Sequence, residues 1–240
     1  MKILKKLFKD RSSRGFTRLE ALISVGAVTL LFVTFGSAFG HMTTRQDEVV
    51  CKNNLRIITE GYTAFANENG ERYPWQLPIQ EWNSPWTRNL FFKFFALSNY
   101  VQSPRVLADP ADYRQPNQPQ LRIATSWGDG QGGLIHPTRR NNAISYFVSQ
   151  YGTPLHSQSF LSGDRNLRVE NVMDGDRFGD RQPVFPATTG WTDQVHRGVG
   201  HIAFTDGAVE RTDTMRMREI AAWWTPARAY VQLPFFQYEP

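Results

Sequence analysis

The chain has 240 residues, 40% of them hydrophobic, enough for one sizeable core or two small ones. Its net charge of +5 is gathered at the start: residues 1–15 carry Lys2, Lys5, Lys6, Lys9, Arg11 and Arg14 against Asp10, so residues 16–240 are formally neutral. That distribution excludes a general nucleic-acid-binding surface, and no nucleic-acid partner is expected. Cys51 is the sole cysteine, which rules out a disulfide within one chain and leaves a buried free thiol or an intermolecular bridge.

The basic leader, residues 1–15, gives way at Gly15-Phe16 to LEALISVGAVTLLFVTFGSAF, a run of 21 residues from Leu19 to Phe39 in which Glu20 is the only charge. About 20 apolar residues at 1.5 Å each cross a hydrocarbon core of about 30 Å. The run therefore reads as a single membrane span over about 19–39. The upstream cations place the N-terminus in the cytoplasm and the rest outside an inner membrane. Glu20 has two readings. With Thr17 three residues before it, it completes a capping box at the positive end of a helix. As a carboxylate at the edge of an apolar run, it also calls for a cationic partner.

A cut between Gly15 and Phe16 would supply that cation as a new α-amino group. GFTRLEALIS resembles the class III signal of type IV pilins and type II secretion pseudopilins. The resemblance implies cleavage after Gly15 by a prepilin peptidase, methylation of Phe16, and use of Glu20 in assembly with other pilin-like subunits, inner-membrane lipid being a further partner. Arg18 departs from the family, which usually has an apolar residue there.

Beyond the run, Cys51, Leu55, Ile58, Tyr62 and Phe65 recur at spacings of four and three, one apolar stripe on a helix. Asn69-Gly70 and Pro74 end it. The spacing predicts one long helix over 16–68, with a break near Gly40 as the alternative. The stretch CKNNLRIITEGYTAFANENGERYP also resembles a large bacterial pilin-like family.

The head, 69–240, begins with an irregular segment in which Trp75, Trp82, Trp86 and Trp127 are either core fillers or an aromatic platform for a sugar. FFKFFAL, Phe91 to Leu97, predicts a short helix. AISYFVSQ, PLHSQSFLSG and LRVENVM read as strands. In HIAFTDGAVERTD, Asp206-Gly207 predicts a two-residue hairpin turn pairing Thr205 with Ala208 and Phe204 with Val209. His196 precedes Asp206-Gly207 by nine residues, and this H-x9-DG spacing, over 196–213 with SGDRN and WTDQVHRG, resembles the C-terminal signature of the same family. There Ala208 stands where family sequences often have His. TMRMREIAAWW predicts a final short helix.

No catalytic constellation emerges, and the chain reads as a non-enzyme. GDGQGG lacks the lysine of a phosphate loop. His196 and His201, five apart, would face opposite sides of an extended strand, which disfavours joint metal binding. Asp174, Asp176 and Asp180 are weak calcium candidates, with Phe178 at a ligand position of the loop; a solvated turn is the competing reading, and no cofactor is expected. The expected fold is α+β: a long N-terminal helix, transmembrane then amphipathic, packed on a C-terminal antiparallel-sheet head of the pilin-like kind. The expected function is a structural subunit of a type II secretion pseudopilus or type IV pilus-like filament. The alternative is an uncleaved, membrane-anchored envelope protein whose Trp-rich head binds a glycan or other ligand.

Overall fold

The computed structural model describes residues 17–77, 89–113, 122–149, 152–156, 158–168, 181–183, 189–224 and 230–234. The chain divides into two compact units, Met1–Thr43 and Thr44–Pro240. Helix α1, Arg18–Glu68, contributes to both.

In the first unit the described side chains of α1 are exposed on every side: Leu19, Leu22, Ile23, Val25, Val28, Leu30 and Leu31 are all open. Among the described residues no helix is long and apolar enough to cross a membrane. Gly26, Ser24 and Thr29 dilute the hydropathy of the stretch from Leu19 to Leu31. This overturns the span over 19–39 and with it the single-pass inner-membrane placement.

In the second unit the rest of α1 forms one wall of a core. Cys51, Leu55, Ile58 and Tyr62 are completely buried, as the stripe predicts. Burial of each large apolar side chain is worth about 1.5–3 kcal/mol. The helix ends in a left-handed cap: Gly70 has φ 65°, Glu71 φ 57°, and the Glu71 N–H donates to the Ala66 carbonyl at 2.8 Å. Helix α2, Leu90–Phe95, runs into a 3-10 turn, Ala96–Asn99, and presents Leu90, Phe91, Phe94 and Leu97 to the same core. A 3-10 turn over Pro104–Leu107 leads to the one-turn helix α3, Pro110–Tyr113.

The strands among the described residues are β1 Tyr146–Ser149, β2 Phe160–Asp164, β3 Leu167–Arg168, β4 Arg181–Pro183, β5 Gly190–Trp191, β6 Val199–Phe204, β7 Val209–Asp213 and β8 Tyr230–Gln232. Six make an antiparallel sheet in the order β4-β8-β1-β2-β6-β7, and β3 pairs with β5 separately. Alternation along each strand splits the side chains between two cores. Tyr146, Val148, Leu161 and Ala203 face α1 and α2. Phe147, Phe160, Ile202 and Val231 face the other way, with Trp191 and with Met217 and Ala221 of helix α4, Thr214–Trp224.

The expected fold class is therefore corrected. The long helix as a whole does not pack on the sheet: only its part beyond Thr43 belongs to the sheet's compact unit, and its apolar part is no membrane span. The sheet also carries apolar layers on both faces, with several short helices, instead of resting on one long helix. The hairpin register moves by one residue. Ala203 pairs with Val209, the Phe204 N–H donates to the Ala208 carbonyl at 2.9 Å, and the loop is the three residues Thr205 to Gly207. Gly207, at φ 87°, takes the left-handed position that a three-residue loop requires. A shift of one exchanges faces, so Ala203 and Val209 share the α1-side core while Phe204 joins the opposite one.

Candidate functional site

Of the N-terminal candidates, Gly15 and Phe16 lie outside the described residues. Glu20 is held in a capping box. Its Oε2 accepts from the Thr17 N–H and from Thr17 Oγ1, both at 2.9 Å, and the Glu20 N–H donates back to Thr17 Oγ1 at 3.3 Å. The backbone hydrogen bond from Thr17, then the hydroxyl, lowers the Glu20 pKa. It is Thr17, rather than Arg18, that holds the carboxylate.

The tryptophans divide. Trp75 packs edge-on against Tyr62 with ring centroids 5.2 Å apart, and Trp127 Nε1 donates to the Val101 carbonyl at 2.8 Å. Both border the main core. Trp82 and Trp86, like Asp174, Asp176 and Asp180, lie outside the described residues.

The chemistry of the head is concentrated in a cluster that sequence spacing did not assemble: Cys51, Asp109, Asp164, His196 and His201, none more than 3% exposed. The inward stripe of α1 delivers Cys51. Asp109 precedes α3, where its Oδ1 accepts from the Ala111 N–H at 2.7 Å, leaving Oδ2 for His196 Nε2 at 2.8 Å. Asp164 closes β2. Its Oδ1 accepts from Cys51 Sγ at 2.9 Å, and its Oδ2 accepts from the His201 N–H at 2.7 Å and lies 3.0 Å from His201 Nδ1. The same Oδ2 is 3.6 Å from His196 Nε2. Cys51 Sγ and His201 Nδ1 are 3.5 Å apart. The two imidazoles meet edge to face, centroids 5.3 Å apart.

This corrects the expectation that the two histidines diverge. The alternation argument needs both on one extended strand, but His196 sits in a turn before β6. Arg197 and Gly198, at φ 54° and 82°, redirect the chain between them. Within the H-x9-DG motif, His196 enters the cluster, whereas Asp206 and Gly207 form the exposed hairpin tip at the far end of β6. Asp206 Oδ1 there accepts from the Ala208 N–H at 2.9 Å.

Electrostatics follow from burial. Loss of water, then the charges of Asp164 and Asp109, drives the Cys51 thiol well above its ordinary pKa and favours its protonated form. Burial raises Asp109, partly offset by its hydrogen bond with His196. For His196 burial favours the neutral ring, but the Asp109 hydrogen bond and the charges of Asp164 and Asp109 outweigh it and lift the pKa to about 9. Beside the cluster, Arg165 makes a two-pronged ion pair with buried Asp112. The cluster is closed to solvent. Cys51, Asp164, His196 and His201 each present one donor atom, all within 4.8 Å of one another.

Comparison with protein-family models, curated proteins and solved structures finds no match. Function is therefore argued from the residues themselves.

Proposed function

We propose that this chain is a structural subunit of a pilin- or pseudopilin-type filament, made as a precursor, cut by a prepilin peptidase between Gly15 and Phe16, and assembled through its N-terminal helix with other subunits of the same kind. One observation carries the reading. The helix that follows the cut site is largely apolar and exposed from Leu19 to Leu31, with Leu22 71% and Leu30 68% open. An exposed apolar surface of this kind calls for a cover, and neighbouring helices of identical subunits supply one. Glu20 would then pair with the amino group released at Phe16, its own or a neighbour's, while its Thr17 cap sets the carboxylate at the head of the helix.

Sedimentation of the processed chain tests this. Wild-type subunits are expected to form high-mass assemblies, and Glu20→Ala to lose them with the head's unfolding midpoint unchanged. A Glu20→Ala chain that assembles like wild type would contradict the role given to the carboxylate.

A further inference from the structure

We propose that Cys51, Asp164, His196 and His201 form a structural site for one divalent transition metal of the zinc class, with Asp109 as the adjoining counter-charge. The inference is independent of filament assembly.

Geometry comes first. Tetrahedral zinc, with bonds of about 2.0–2.3 Å, sets its donor atoms about 3.3–3.8 Å apart. The described separations are 2.9 Å from Sγ to Asp164 Oδ1, 3.5 Å from Sγ to His201 Nδ1, 3.0 Å from His201 Nδ1 to Asp164 Oδ2, and 3.6 Å from His196 Nε2 to Asp164 Oδ2. All four donor atoms lie within 4.8 Å of one another, so an ion closes the site with outward movement at the tighter pairs and inward movement at the wider ones. The donor chemistry is equally selective. One sulfur, two imidazole nitrogens and one carboxylate oxygen suit zinc and its neighbours, whereas calcium and magnesium call for oxygen ligands. Full burial of all four donors makes the site closed, as structural zinc sites are.

A second, independent observation is that the protein groups leave the network open. His196 Nδ1 is buried and has no hydrogen-bond partner among the described residues, and the charges of Asp109 and Asp164 are met by a thiol, imidazoles and backbone N–H groups. Two buried carboxylates this close are costly unless a cation completes them. As the dication enters, the Cys51 thiol releases its proton to solvent, any proton on a ligating imidazole nitrogen leaves likewise, and no electron is transferred.

The four donors come from α1, the end of β2, the turn before β6 and β6 itself, so a bound ion would tie the helix to two central strands. The test uses the purified full-length chain. After expression with zinc and removal of loosely held ions, elemental analysis is expected to find about one zinc per chain, and cobalt exchanged into the site to give a thiolate-to-cobalt charge-transfer band. Cys51→Ala is expected to abolish the band and lower bound metal about tenfold, while His156→Ala, an exposed histidine outside the cluster, leaves both intact. Should Cys51→Ala fail to fold, the wild-type cobalt spectrum still decides. A folded wild-type chain that holds less than about a tenth of an equivalent, or binds cobalt without the thiolate band, overturns the site.

Discussion

Asp164 concentrates more of the head's polar contacts than any other side chain in the buried cluster, accepting from the Cys51 thiol and from the His201 backbone while facing both imidazoles. Asp164→Ala strands those donors in a core closed to solvent. Breaking such a buried arrangement costs about 3–5 kcal/mol, and denaturant unfolding is expected to show a loss of that size. Glu20 gives a residue-scale pH dependence. Its pKa is depressed, so the cap's contribution is present above the ordinary carboxylate range and is lost as pH falls through the lowered value. The Thr17 amide, which donates to the carboxylate, is expected to lose hydrogen-exchange protection on acidification, and Glu20→Gln to flatten that dependence.

At the scale of elements, close approach and turn geometry decide what each segment tolerates. A methyl on Gly163 would lie 2.6 Å from Phe147 Cζ and 2.7 Å from the His201 carbonyl oxygen. Gly163→Ala is therefore expected to destabilise the head by about 1–3 kcal/mol, seen as a lower unfolding midpoint. Much of this level was legible in the sequence. The Cys51, Leu55, Ile58, Tyr62 stripe, the strand at Tyr146–Ser149 and the last helix at Thr214–Trp224 stand where periodicity places them. The hairpin register was missed by one residue because Asp206-Gly207 fits both two- and three-residue loops, and only the pairing of Ala203 with Val209 separates them. The cluster was not legible. Its members come from five separated parts of the chain, and two left-handed residues undo the alternation that kept His196 and His201 apart. The sole signal was an unpaired cysteine on an inward stripe.

For the whole molecule, the consequence is a division of labour between two compact units. The head's stability rests on its own cores and buried cluster, while the exposed apolar residues from Leu19 to Leu31 form the surface to which the proposed function assigns association. Leu22→Asp is accordingly expected to abolish high-mass assemblies in sedimentation while leaving the head's unfolding midpoint within about 0.5 kcal/mol of wild type. The membrane span read from the apolar run does not survive, since no helix among the described residues is long and apolar enough to cross a membrane. The proposed assembly gives the same apolar surface a different cover.

The central claim is that this surface becomes functional after a single cut, and the mass of the N-terminal peptide from the chain purified from its native cell tests it most directly. The expected chain begins at Phe16 with one added methyl group on its α-nitrogen. A peptide that still carries Met1 to Gly15 would contradict it.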